Sequence, residues 1–569
     1  MSRFAPQVRA LKRAVRKVYP VHVDHARWRD LLGDDFPEFE RRLASIPVDA
    51  PRVLLVPSTG HPTFTTLDSL LTVALTLRGA RVDVLLCDEA LPACHNCLLG
   101  KLQDEWITNE FLRFGPKRDI CRTCFSPAAE MFRSFGGNVL QYGDYVTQAE
   151  IDHAWQLARS LTPDAICAYD IDGVPVGEHT RAGAIRFFAR TILDREPHGE
   201  DVLRRYFAAA LITYAAIDRL LSQHAYVSAT FNHGIYIPQG IVGAVARRHG
   251  VRTAAWAVAY RKRSFIFSHH DTYHHALMDE PVSNWEDIGW DGDIESELLD
   301  YLKSRWTGAE DWITFSKAPE TALDAISRET GIDFSKPSIG LLTNVMWDAQ
   351  LHYPQNAFRD MWDWLVTTIK YFEGRPDLQL IIRVHPAELR GHIQSRQPIA
   401  EEIRRELGAL PSNIYVIPPE SKVSTYAVMT QCDSVLIYGT KTGVELTSLG
   451  VPVIVAGEAW IRNKGITIDA QSRDHYLRLL DTLPLGRRMD AAAVMRAKKY
   501  AYHFFFRRMI PVDAVVPLEG KTWAPYAVRP VRLREIERGG DPGLDAICDG
   551  ILHGREFIYP AEAVRSAAC

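Results

Sequence analysis

The 569-residue sequence lacks any uninterrupted apolar stretch of the ~18 residues that a membrane-crossing helix requires. It also lacks, near its N-terminus, an apolar core followed by a small-residue cleavage site, which reads as a cytoplasmic protein. There is no excess of positive charge. The 66 Lys and Arg face 70 Asp and Glu, a formal net charge of -4, which counts against a surface that neutralises many nucleic-acid phosphates. No internal repeat or low-complexity segment is present, so solenoids and long disordered arms are excluded. Cysteine is sparse, nine in all, and without a secretion signal it points to free thiols or a metal site more than to disulfides. What remains is ordinary globular material, 47% hydrophobic and 24% charged, in a chain longer than one hydrophobic core usually supports. Two α/β domains are expected.

The first 49 residues read as a lead-in. Val8, Leu11 and Val15 share one helical face, while Arg9, Lys12, Arg13, Arg16 and Lys17 cluster mainly on the other. Such a basic amphipathic helix suits either the anionic inner face of the cytoplasmic membrane or docking on its own domain. A Rossmann-like domain is expected over residues 50–335. The apolar run Arg52–Val56 leads through Pro57–Pro62 into a helix carrying Leu67, Leu70, Leu71, Ala74, Leu75 and Leu77, and Val82–Leu86 follows as a strand. Further strands are read at Ala165–Cys167 and Tyr226–Phe231, and a helix around Val242–Ala246. Residues 281–336 read as a bridge. A second Rossmann-like domain, 336–485, is expected from the short apolar runs Ser338–Thr343, Leu378–Val384, Ile414–Ile417, Ser434–Tyr438 and Val451–Val455, which have the continuous character of parallel strands buried on both faces. Residues 486–569 read as terminal helices and tail.

Two clusters carry phosphate chemistry. In Ile381-Ile382-Arg383-Val384-His385-Pro386-Ala387-Glu388 an apolar strand ends in polar residues, where open α/β sheets place their ligand crevice. His385 can donate to a phosphate oxygen and Arg383 can grip one bidentately; the plainer reading of His385 is a loop histidine satisfied by backbone. In Gly439-Thr440-Lys441-Thr442-Gly443-Val444-Glu445 small residues open a helix after a strand, so backbone amides can approach a phosphate, and Glu445 can accept from ribose hydroxyls. The plainer reading makes Glu445 the capping-box partner of Thr442.

Together with Asn344-Val345-Met346-Trp347-Asp348 and Gly450-Val451-Pro452-Val453-Ile454-Val455, these clusters resemble the capsule polysaccharide biosynthesis proteins. That family includes bacterial Kdo transferases of GT-B architecture and is similar to polysialyltransferases in its His-Pro motif. The resemblance covers about Ser338 to Asp469. It implies two Rossmann-like domains facing across a cleft, with the nucleotide-sugar donor held by the second through Asn344, Arg383, His385, Thr440, Thr442, Gly443 and Glu445. It implies that His385 contacts the donor phosphate, that Thr440 and Thr442 sit beside it, and that Glu445 holds the ribose. Thr440-Lys441-Thr442 stands where serine and threonine pairs are common in such proteins, which leaves Lys441 without an assigned role.

The activity so implied is transfer of a sugar from a nucleotide-activated donor, CMP-linked before UDP-linked on family grounds, to a glycan or lipid-linked acceptor, with inversion and no catalytic metal. A nucleotide-sugar 2-epimerase and a non-catalytic assembly or export factor are the alternatives. The base is sought in the first domain. His61 and His233 each follow a strand and suit that task, with Asp88, Asp170 and Asp172 in reserve. Cys94, Cys97, Cys121 and Cys124, two CxxC pairs in an insertion at about 90–128, suit a closed structural zinc site, against free thiols or an iron-sulfur cluster. His269, His270, His274 and His275 read as a loop lining the cleft toward acceptor hydroxyls, with a solvent-exposed run as the plainer reading.

Overall fold

The computed structural model describes residues 24–99, 105–118, 120–306, 308–312, 319–349, 351, 353, 355–518 and 526–568. The basic helix expected near Val8–Lys17 lies outside them. Among the described residues no helix is long and apolar enough to cross a membrane.

The first sheet is built from β1 (Arg52–Val56), β2 (Arg81–Leu86), β3 (Asn138–Gln141), β4 (Ser228–Asn232), β5 (Arg252–Val258) and β6 (Ser264–His269). The second comprises β7 (Ser338–Leu342), β8 (Gln379–Arg383), β9 (Ile414–Ile417), β10 (Ser434–Ile437), β11 (Val453–Val455) and β12 (Ile468–Asp469). A late strand, β13 (Ile510–Pro511), returns to the first sheet and pairs antiparallel with β6. The sheet orders are β13-β6-β5-β4-β1-β2-β3 and β12-β11-β10-β7-β8-β9. All pairs in the second sheet are parallel, as are those from β3 through β5 in the first. In each sheet the strand order reverses beside the first strand used, between β1 and β4 and between β7 and β10. Ligand crevices of open α/β sheets form at such points. The architecture is thus the two-sheet α/β arrangement expected from the sequence.

The central strands are apolar because both faces are covered. Val53 and Leu55 pack with the nearly wholly buried helix Pro62–Leu77, while Leu54 and Val56 face the helices Val176–Phe188, Gly199–Gln223 and Gln239–Arg248. In the second sheet Ile339 and Leu341 pack toward the helices Met361–Glu373 and Ile399–Leu407, and Val435 and Ile437 toward the helix Ala491–Tyr502.

Three expectations fail. Ala165–Cys167 is helical, because Thr162 caps Ala165 N–H and Pro163 occupies the first turn, where its missing N–H costs nothing. The histidine-rich stretch is not all loop: Thr272 accepts from His275 N–H and starts the helix Tyr273–Met278. The last eighty or so residues are no separate tail. Ile510, Val512, Leu544, Ile547 and Ile551 complete the first sheet's core beside Trp256 and Phe265. The cysteine pairs lie in the connection between β2 and β3.

Candidate functional site

The second sheet brings the donor-side residues together at the carboxyl ends of adjacent strands. Asn344 follows β7, His385 follows β8, and the Gly439–Thr442 turn follows β10. Thr343 Oγ1 accepts from His385 N–H at 3.1 Å and so ties the first two loops together. The imidazole of His385 accepts from Ala387 N–H at Nδ1, 3.1 Å. That bond assigns the neutral ring's own proton to Nε2, leaving a donor there. Burial, then Arg383, pushes His385 down to about 4, so the neutral form persists at physiological pH. Asn344 Oδ1 is buried without a hydrogen-bond partner.

The turn after β10 is packed tightly. A Cβ on Gly439 would stand 3.1 Å from Glu458 O, and one on Gly443 would stand 2.4 Å from Ile461 Cδ1 and 2.8 Å from Ile437 Cδ1. Gly443 is therefore required for helix-to-sheet packing. Thr440 Oγ1 accepts weakly from Thr442 N–H at 3.4 Å.

Two donor-side expectations are corrected. Arg383 is 3% exposed, and its guanidinium donates to Ile417 O, Pro418 O, Ser421 O and Thr425 Oγ1. It braces the loop after β9 and offers no fork to a phosphate; burial holds it down at about 10. Glu445 is 2% exposed, and its Oε1 accepts from Arg305 Nε and Lys441 Nζ, each at 3.0 Å. Arg305 also pairs with Asp311, which accepts from Tyr301 OH at 2.8 Å. Lys441 Nζ lies 4.5 Å over the Tyr260 ring. The helix Thr442–Ser448 has no side-chain cap, so no capping box forms. Glu445 therefore anchors a buried ion network that joins the bridging segment to the phosphate-side turn, and Lys441 gains its role there. Sequence reasoning had no signal for Arg305, 140 positions from its partner.

Across the cleft, the first half contributes an aromatic and histidine surface. Tyr236 OH donates to Asp348 Oδ1 at 2.6 Å, and Trp460 Nε1 donates to His274 Nδ1 at 3.2 Å, so the two halves are in contact. His233 has the left-handed φ of 65°, packs on Tyr236, Tyr273 and His274, and leaves Nδ1 buried without a partner. Burial pushes it down to about 3. His61 is exposed and caps the helix Pro62–Leu77 by accepting from Thr63 N–H. His269 bonds the carbonyls of Thr253 and Arg555 and stacks on Phe557, away from His274 and His275. His275 Nδ1 lies 2.7 Å from Asp271 Oδ2, and its Nε2 lies 3.9 Å from Glu458 Oε2 of the second half. Glu458 is the residue sequence reasoning passed over, although its position just after β11 is where the strand-end rule looks.

The cysteines stand behind the crevice loop that follows β1. Cys94 Sγ and Cys97 Sγ are 3.8 Å apart, Gly60 N–H donates to Cys124 Sγ at 3.1 Å, and each CxxC closes a turn through a 3.0 Å backbone bond. A Cβ on Gly60 would meet Cys124 O at 2.1 Å. The Cys97 hydrogen bond and burial push Cys94 up, and burial pushes Cys124 up to about 12. Among the described residues no three ligand-type side chains converge on one point in metal-holding geometry. A cavity of about 300 Å³, lined by Phe39, Leu43, Val82, Phe135 and Asn138, opens at the amino ends of β2 and β3, on the far side from the strand-end chemistry.

Two Thermosulfurimonas dismutans KpsC structures are similar to this chain. The beta Kdo 2,4 transferase is 14% identical with TM-score 0.31, over 48% of this chain and 79% of that one. The beta Kdo 2,7 transferase is 13% identical with TM-score 0.29, over 50% and 79%. An S. aureus MnaA-UDP co-structure is 11% identical with TM-score 0.27, over 79% and 91%. Likenesses this weak add nothing to what the sheet topology shows. No curated protein matches the sequence. The family model described as capsule polysaccharide biosynthesis protein matches residues 344–495, the span holding Asn344, His385, Thr440 and Glu445. Through this span the chain is similar to the capsule polysaccharide biosynthesis proteins.

Proposed function

We propose that the protein transfers a sugar from a nucleotide-activated donor to a glycan or lipid-linked acceptor in surface polysaccharide assembly. One observation carries this reading: Asn344, His385, Thr440 and Thr442 meet at the strand-order reversal of the second sheet, with His385 held as a neutral Nε2–H donor. When the bond from the anomeric carbon to the nucleotide breaks, negative charge grows on the phosphate. A donor already oriented by Ala387 N–H stabilises that charge without reorganising. Thr440 and Thr442 hydroxyls and the amides of their turn share the load. The facing side chains of His233 and Tyr273 suit a sugar acceptor, whose rings pack on aromatic faces and whose hydroxyls need polar partners. Single displacement with inversion fits the site because it needs one base, and the donor is a CMP-sugar before a UDP-sugar.

Thermal shift with CMP, UDP, GDP and their sugar conjugates tests the reading. A nucleotide at a hundred times its dissociation constant should stabilise the fold by about 2.7 kcal/mol. If none of them raises the melting temperature, the donor-site reading is lost. Product analysis with and without acceptor then separates transfer from 2-epimerisation.

We also propose that the two CxxC pairs hold one structural zinc that stiffens the loop after β1. The support is the pairing of chelating turns and the 3.8 Å approach of Cys94 and Cys97, a separation that two ligands of one tetrahedral zinc would have. The second pair must close further for this. Elemental analysis finding about one zinc per chain is the expected result; metal-free protein of unchanged stability defeats it.

A further inference from the structure

The base of the reaction has three demands: a lone pair aimed at the cleft, a partner that fixes the ring, and a place facing the donor turn. His61 is exposed and its Nδ1 serves Thr63. His274 gives its Nδ1 to Trp460, and burial pushes it down to about 3. His233 is held just as low. Imidazoles so reluctant to take a proton are weak general bases at physiological pH.

His275 is placed differently. It lies on the first turn of the helix Tyr273–Met278, and its Nδ1–H donates to Asp271 Oδ2 at 2.7 Å. Asp271 is itself fixed, since its Oδ1 accepts from Thr272 N–H at 2.6 Å. With the ring proton committed to Asp271, the lone pair is on Nε2, a buried atom without a hydrogen-bond partner. Nε2 points across the interface toward Glu458 Oε2, 3.9 Å away, and the ring meets Tyr353 edge-on at 4.0 Å. Glu458 belongs to the segment whose backbone carbonyl lies against Gly439 of the donor turn. The unpartnered nitrogen therefore stands one residue's width from the phosphate side of the cleft.

We propose that Asp271 and His275 are the proton-accepting dyad of the sugar transfer, with His275 Nε2 taking the proton of the acceptor hydroxyl. The inference rests on the function proposed above. As the proton moves to Nε2, the hydroxyl oxygen's electron pair forms the bond to the anomeric carbon. The bond from that carbon to the phosphate oxygen breaks, and its electron pair leaves with the nucleotide. Asp271 stabilises the imidazolium, as the third member of such a relay does. The imidazolium then returns its proton to water. The titratable and charged groups around the dyad are Glu458, Asp279, Tyr353, His274, His179 and Arg247, so the pH response belongs to this set and not to His275 alone.

The test uses the full chain. Nucleotide release from CMP-, UDP- and GDP-sugars is followed with oligosaccharides from acid-hydrolysed capsule as acceptors, beside thermal shift with the same nucleotides. His275→Ala should lower release by roughly a hundredfold or more while the nucleotide shift stays at the wild-type value, and added imidazole should restore part of the rate. His275→Gln guards against loss of packing and should be as slow without being rescued. Asp271→Asn should slow release less and move the acid limb of the pH profile to lower pH, which a merely structural role would not do. Release within threefold of wild type in folded His275→Ala overturns the dyad. So does loss of release in Glu458→Gln with His275→Ala tolerated, which puts the proton on Glu458. Wild-type protein that binds nucleotide but releases none with any acceptor also overturns the dyad, and leaves the donor site standing. Absence of any nucleotide shift removes the function and the dyad together.

Discussion

The two sheets share a strand order and differ in what their crevices hold. At the reversal of the second sheet, the strand ends themselves supply the polar residues: Asn344, His385 and the turn at Thr440. At the reversal of the first, the space is filled. Gly60 lies against Cys124, and His95 packs between Phe64 and Tyr236. His233, just past the end of β4, stands there among aromatic rings, and the helix that follows β6 adds further polar groups. One topology thus presents polar strand ends in one half and a filled platform in the other. The lesson is that a strand-order reversal marks a place for a ligand, and side-chain filling decides whether the place is used.

The comparison can be broken most forcefully at Glu445. If the buried network of Glu445, Arg305, Lys441 and Asp311 builds the donor-side turn, Glu445→Ala leaves two buried cations short of their partner. It should then cost about 3–5 kcal/mol in chemical denaturation. A stability change below 1 kcal/mol, with a raised Michaelis constant for the donor, would return Glu445 to direct ribose binding. The second test is His385→Ala. It should reduce turnover by roughly a hundredfold, about 2.7 kcal/mol, with the protein folded and nucleotide binding weakened less than catalysis. Near-normal kinetics would empty the crevice of its proposed chemistry.

The smallest effect sharpens the contrast through pH. Glu388, in the short helix Ala387–Arg390 after His385, is 3% exposed, its carboxylate accepts from Ile399 N–H, and burial pushes it up to about 8. A carboxyl raised in the fold contributes stability that is full below its unfolded value near 4.5 and is lost as pH rises through 8. Glu388→Gln should therefore flatten the fall in stability between pH 5 and 8, by on the order of 2 kcal/mol across that window. Glu458, pushed up to about 7 by burial, acts with the same sign, so the slope should shrink without vanishing. Denaturation midpoints of both proteins at pH 5 and pH 8 decide it; parallel curves would place Glu388 in contact with water.

What the sequence made legible was local. The strands β1, β2, β4 and β7 to β11 announce themselves as apolar runs, and His385 and Thr440 follow from their places just after two of them. What it hid depends on distant partners. The direction of Arg383 is set by carbonyls of the loop after β9, and the fate of Glu445 by Arg305 in the bridging segment. Neither pairing leaves a periodic trace. The helix Tyr273–Met278 is too short for apolar spacing to register, although Thr272 just ahead of it is a favoured N-cap residue.

The return of β13 to the edge of β6 sets an order of synthesis. The first sheet contains both β1 and the much later β13, and its core closes only when the helix Pro542–His553 packs beside Pro62–Leu77. The second sheet is therefore complete in sequence before the first can be finished. During translation the N-terminal half waits, with the apolar face around Trp256 and Phe265 uncovered, until the helix Pro542–His553 has emerged.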